Sequence, residues 1–160
     1  MKFVCDGMIL SDAAFTVSKA CAVKTITPVL ECIKLHAEND TLTLTAYDGE
    51  ISIEKRIPAE ILEEGELCVN GKMFADFVGK ISSFEVVVAS DEKGIIIRYA
   101  DSESYMQSLP AAEFPYLGDR TTEGKDYFEI KESAKMMFYE NGYWMPSGYS
   151  WDFSAEHDAI

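Results

Sequence analysis

Glu66-Leu-Cys-Val-Asn-Gly-Lys-Met-Phe-Ala-Asp-Phe-Val-Gly-Lys-Ile81 decides the fold. The run Glu66–Asn70 reads as a short strand. Asn70 is placed to cap a helix, because its side-chain oxygen can accept from the free N–H groups of a first turn. Beyond it, Met73, Phe74, Phe77, Val78 and Ile81 recur at helical spacing and predict the buried stripe of a helix over 70–81. The same plan occurs twice more: Met1–Asp6 reads as a strand with a helix over Met8–Cys21, and Asp126–Lys131 as a strand with a helix from Glu132. Strand starts 65 and then 60 residues apart argue for a duplicated structural unit.

Each of the first two copies is followed by three alternating segments. In the first, Ile33, Leu35 and Ala37 share one face of Val29–Glu38. Leu42 and Leu44 alternate with threonines in Thr41–Ala46, and Ile51, Ile53 and Ile57 share a face of Glu50–Ile57. Asn39-Asp40 and Asp48-Gly49 are hairpin turns between them. In the second, the segments are Phe84–Ala89, Ile95–Tyr99 and Tyr105–Leu109. Period-two alternation predicts antiparallel strands with one face in a core. The first helix should bury Leu10, Ala13, Ala14, Val17 and Cys21 and turn Ser11, Asp12, Thr16 and Lys19 outward. The glutamate-rich stretch Ala59–Gly65 reads as a linker. Residues 1–58 and 66–110 are therefore both β-α-β-β-β, and two such units sharing a helix pair give an α+β fold with two antiparallel sheets and two adjacent helices. The expected organisation is one domain over 1–118, a linker over 119–125, and over 126–160 a partial second domain with an aromatic-rich tail.

Composition excludes several classes. The chain is 48% hydrophobic, enough for a sizeable core. Its net charge is −14, and the first 120 residues carry 20 acids against 11 bases. Such an excess repels nucleic acid at long range, so the placement of the few bases matters more than the total. No apolar run approaches the ~20 residues of a membrane span, and a cytoplasmic protein is expected. Cys5, Cys21, Cys32 and Cys68 are widely spaced without a Cys-x-x-Cys pair. With only His36 and His157 beside them, buried free thiols are expected and no metal site. No nucleophile constellation or phosphate-binding glycine loop is present, so no catalytic residue and no cofactor are expected.

One cluster invites a binding role. Lys24 lies in the loop after the first helix, and Lys72 and Lys80 lie on the polar side of the second, ~12 Å apart along its axis. If the helices are neighbours, the three can meet phosphates on one surface, although Asp76 interrupts the row. The late aromatics Tyr143, Trp144, Tyr149, Trp151 and Phe153 lack accompanying bases and suit packing better than base stacking.

Met1-Lys-Phe3, Thr27-Pro-Val-Leu30, Leu42-Thr-Leu-Thr45, Asp48 and Leu109-Pro-Ala-Ala-Glu-Phe-Pro115, in this order, resemble the bacterial replicative sliding clamp, the β subunit of DNA polymerase III. The resemblance runs from residue 1 to about 138. It implies a non-enzymatic processivity factor: a ring of six domains from two three-domain chains around duplex DNA, with helices facing the hole. It also implies that Lys24 matches a DNA-contacting basic position and that Lys72 and Lys80 fall at or near basic positions of the inner helix. Against the family the chain is expected to be truncated, ending after one domain and the start of a second. The family's peptide-docking pocket between its second and third domains would then be missing. Asp101 and Glu103 stand where family chains carry bases at the chain–chain contact. Weak, assembly-dependent duplex binding, homo-oligomers and replication proteins are the implied partners. The alternative is an acidic interaction protein that competes with clamp or DNA-binding partners through its C-terminal tail.

Overall fold

The computed structural model describes residues 1–115 and Leu117. The expected linker at 119–125, the third strand–helix start and the aromatic tail lie outside the described residues. The elements are β1 (Lys2–Cys5), α1 (Gly7–Ser18), a 3₁₀ turn (Pro28–Glu31), β2 (Cys32–Glu38), β3 (Thr41–Tyr47), β4 (Ser52–Pro58) and β5 (Glu60–Glu63). There follow β6 (Gly65–Asn70), α2 (Gly71–Val78), β7 (Val86–Ser90), β8 (Gly94–Tyr99), β9 (Ser102–Pro110) and a 3₁₀ turn at Ala111–Glu113.

The α+β expectation holds, and the two units interlock. The lead strand of the first unit, β1, pairs not with its own three-strand meander but with β7 of the second. The lead strand of the second unit, β6, pairs with β2 of the first, from Cys32↔Asn70 to Ala37↔Gly65. Each half-sheet thus borrows one strand from the other unit, so neither unit closes a core alone. Two antiparallel sheets were expected; the half-sheets β1-β7-β8-β9 and β6-β2-β3-β4 are instead joined where β9 also pairs with β6, as at Val69↔Ser108. The outcome is one antiparallel sheet in the order β4-β3-β2-β6-β9-β8-β7-β1-β5.

Both helices start the same way. Asp6 Oδ1 accepts from the N–H groups of Met8 (2.8 Å) and Ile9 (3.1 Å), and Asn70 Oδ1 accepts from Met73 N–H at 2.9 Å. Each cap satisfies first-turn donors that lack an intrahelical partner. A glycine follows each cap, so Asp6-Gly7 and Asn70-Gly71 are the clearest trace of the duplication. Replacing either cap by alanine should cost about 1 kcal/mol. Urea melts of the two variants check this, and a cap that costs nothing would not be holding its helix end.

The core lies between the sheet and the helix pair. Leu10, Ala13, Ala14 and Val17 of α1 and Phe74, Val78 and Ile81 of α2 and its exit are buried against Phe3, Ile33, Leu35, Leu42, Leu44, Val69, Val88, Ile95 and Ile97. Met73 departs from expectation: it is 60% exposed. The inward stripe runs through Phe74, Phe77, Val78 and Ile81, spaced i, i+3, i+4, i+7, and Met73 stands about 40° beyond Phe77 at its edge. Cys21 is half-buried but lies past the end of α1, which stops at Ser18. The expected strand from Val29 begins only at Cys32, because Pro28, with its preset φ, opens a 3₁₀ turn. Asn39 and Asp40 both have positive φ (49° and 55°), as a two-residue type I′ hairpin demands.

The glutamate-rich stretch is not a linker. Its Glu60–Glu63 forms β5, antiparallel to β1 at Phe3↔Ile61 and Val4↔Glu60. Composition pointed to a solvated connection, but β1 has an open edge once β7 is paired. The β5 backbone satisfies that edge while Glu60 and Glu63 stay in water.

Candidate nucleic-acid interface

The helices pack side by side and antiparallel. Two glycines set the approach. A Cβ at Gly7 would run into the Ser83 carbonyl oxygen, just past α2, and one at Gly71 would run into Cys21 Sγ, just past α1. The start of each helix therefore rests on the exit of the other. This brings Cys21 and the loop carrying Lys24 to the end of α2 where Lys72 sits. Lys80 lies at the far end, ~12 Å along the axis.

Lys24, Lys72 and Lys80 are all exposed. Among the described residues none of the three has an ion-pair partner. In contrast, Lys34, Lys55, Arg56 and Arg98 are paired with Glu66, Asp12, Glu54 and Glu103. Charge is segregated. Residues 7–27 and 71–81, which make up the helices and their exits, carry Lys19, Lys24, Lys72 and Lys80 against Asp12 and Asp76. Exposed acids instead crowd the strands and turns, at Glu38, Glu50, Glu60, Glu63, Glu64, Glu66, Glu85, Glu92, Asp101 and Glu103. A sheet side that repels phosphate and a helix side that attracts it would orient an anionic polymer on the helices.

Sequence reasoning did not anticipate how apolar that side is. Met8, Phe15, Met73 and Phe84 are exposed, and Val23 and Ile26, flanking Lys24, are almost wholly in solvent. Lys19 Nζ lies 4.6 Å from the centroid of the Phe15 ring. The period that identified the buried stripe also identified its complement, and Phe15 stood in that complement unremarked.

His36 Nε2 lies 3.8 Å from Glu38 Oε2 on an exposed strand face. Among the described residues, no three His, Cys, Asp or Glu side chains gather so as to hold a metal ion. All four cysteines are free. Burial pushes the thiols of Cys5, Cys21 and Cys68 up to about 12 and that of Cys32 up to about 11. They stay protonated at neutral pH, and a protonated thiol is neither a nucleophile nor a metal ligand. Asp48, in the β3–β4 turn, accepts from the N–H groups of Ile51 (2.8 Å) and Glu50 (2.9 Å), bonds that hold its carboxyl below the usual range. It is a turn residue.

Residues 1–118 match the family model described as DNA polymerase III beta subunit, N-terminal domain. The beta sliding clamp of Halalkalibacterium halodurans is 33% identical over 126 residues, covering 73% of this chain and 33% of that protein. The crystal structure of the Bacillus subtilis DNA polymerase sliding clamp is 29% identical with a TM-score of 0.72, over 74% of this chain and 34% of that one. A Helicobacter pylori beta clamp, solved bound to a DNA ligase peptide, shares the fold at 22% identity with a TM-score of 0.70, over 74% of this chain and 34% of that one. The chain spans about a third of the length of the relatives it matches.

Proposed function

The chain belongs to the DNA polymerase III beta subunit family, and from that premise we propose that residues 1–118 act as the N-terminal domain of a sliding clamp. In this role the protein is a non-enzymatic accessory subunit of a DNA polymerase, a processivity factor working in the cytoplasm. It touches duplex DNA without reading sequence, through Lys24, Lys72 and Lys80. The observation that carries the reading is the charge segregation: a helix face with four bases against two acids in a chain of net −14. Unpaired lysines on the helix side contact phosphate as mobile point charges, which suits a surface that must slide. Residues 119–125 would then be a linker and 126–160 the beginning of a second domain.

The contact is assembly-dependent. Three lysines neutralise few phosphates, and one domain cannot encircle a duplex. Several copies, or further clamp domains, must complete a ring, with replication proteins as its other partners. Glu103 is tied to Arg98 at 2.6 Å and Asp101 is exposed, so a chain–chain contact here would be less basic than the resemblance implies. The comparisons lend nothing to the alternative of an acidic interaction protein acting through its tail.

Fluorescence anisotropy with duplexes of unrelated sequence tests the reading. The full chain should bind all of them weakly. The logarithm of its affinity should fall against log salt with a slope of about −2.7, from ~0.9 for each of three phosphate contacts. Lys24→Ala, Lys72→Ala and Lys80→Ala should each flatten that slope by about 0.9. Binding that is sequence-selective, or that survives loss of all three lysines, would refute it.

A further inference from the structure

Between α1 and the 3₁₀ turn at Pro28–Glu31 the chain runs Ala22-Val-Lys-Thr-Ile-Thr27. The loop is tied at both ends. Ala22 N–H donates to the Leu30 carbonyl at 2.8 Å, and Leu30 N–H donates to the Thr27 carbonyl at 3.0 Å. Within it, Thr27 N–H donates to Thr25 Oγ1 at 3.1 Å. Its tip presents Lys24 between two apolar side chains. Val23 is 89% exposed and Ile26 wholly so, more than any other large apolar side chain among the described residues. Neither is part of the core. Phosphates gain nothing from valine or isoleucine, so the lysine contacts leave both side chains without a use.

We propose that Val23 and Ile26 are duplex contacts in their own right, laid on the deoxyribose carbons to either side of the phosphate that Lys24 meets. Continuity with Lys24 selects this occupant. Each DNA strand alternates charge with carbon, because every phosphate stands between two sugars whose C–H faces are apolar. The loop tip carries the complementary order of apolar group, cation, apolar group. Val23 is adjacent to Lys24 and Ile26 lies two residues beyond, so both Cα atoms stand within ~7 Å of that of Lys24. Branched side chains on a tied loop have few rotamers to lose when they are covered. Deoxyribose is the same in every nucleotide, so the contact reads no sequence. It displaces water and releases no counterion, so it adds affinity that salt does not screen. The Lys24 site then has two halves, a salt-dependent cation and a salt-independent apolar pair. This role rests on the phosphate contact proposed for Lys24.

Anisotropy of the full chain on duplexes of unrelated sequence, over a salt series that begins at low salt, tests this. Val23→Ala and Ile26→Ala should each weaken binding about fourfold, the loss of methyl groups partly covered in the complex. The loss should be the same at every salt concentration and on every duplex, with the salt slope unchanged. Lys24→Ala should instead flatten the slope. Side chains that merely held the loop in shape would act differently, since their loss would displace Lys24 and flatten the slope as well. Urea melts should find both apolar variants as stable as the parent, because both side chains stand in solvent. Parent-like affinity in both variants, or a flattened slope, would overturn the proposal. So would a loss confined to particular sequences, which marks insertion at base steps, or a loss of stability, which marks side chains already covered by the chain itself. If Lys24→Ala leaves the slope as it was, the phosphate contact falls and the apolar role with it. If Lys24→Ala flattens the slope while the apolar variants bind like the parent, the apolar role alone falls.

Discussion

Phe74→Ala is expected to cost about 3–5 kcal/mol, a large part of the 5–15 kcal/mol by which a domain of this size is stable. Phe74 and Phe3 are the largest side chains wholly shielded from water. Phe74 belongs to the core shared by the helix pair and the sheet. That core is held by sheet pairing on one side and by α1 on the other, which limits its collapse into a void. The cost is then transfer free energy plus a nearly full cavity term. Urea unfolding should show the midpoint falling while the slope stays the same, since the surface exposed on unfolding hardly changes. Met73→Ala, one residue away but exposed, should change stability by less than about 0.5 kcal/mol. Equal costs at the two positions would mean that α2 is rotated about its axis from the orientation described here.

That pair of residues also shows where the sequence was legible. Helical periodicity located α2, its cap at Asn70 and four of its five inward residues, and it misplaced only the one at the margin. Strand alternation likewise located Leu35, Leu42 and Leu44, and Asn39-Asp40 announced its own turn, because these signals are local. Pairing is not local. Alternation tells which face of β1 is buried but not that its partner is β7, whose Val86 pairs with Cys5 and whose Ala89 pairs with Lys2. The strand exchange was therefore invisible, and with it the open edge that turns Glu60–Glu63 into a strand.

The candidate interface divides in the same way. The three lysines were legible as residues on polar faces. What brings Lys24 toward Lys72 is the antiparallel approach of α1 and α2, a tertiary fact. Its only trace in the sequence is a pair of glycines, each directly after a helix cap, where a capped helix gains nothing from glycine by propensity.

Gly7→Ala should therefore destabilise the domain by about 1–3 kcal/mol, against the sign that helix propensity gives. Propensity alone favours alanine in a helix by up to ~1 kcal/mol. At Gly7 the added methyl meets the Ser83 carbonyl oxygen and presses on Val86 Cγ2 at 3.0 Å and Ile81 Cγ2 at 3.3 Å. The first obstacle is backbone and cannot rotate away, so either α1 or the segment after α2 must shift. Gly71→Ala meets Cys21 Sγ first, then Ile33 Cγ1 at 3.1 Å and the Glu31 carbonyl oxygen at 3.3 Å. Here the nearest obstacle is the end of a side chain that truncation removes. Cys21→Ala should recover a substantial part of the Gly71→Ala loss, a positive coupling in a double-mutant cycle of at least about 0.5 kcal/mol. Ser83→Ala should recover nothing of the Gly7→Ala loss, because the oxygen in the way is not the serine's own hydroxyl. Gly7→Ala that stabilises, or a cycle between Gly71 and Cys21 that is strictly additive, would show that the helices do not meet end against exit. The common surface of Lys24 and Lys72 would then dissolve with that contact.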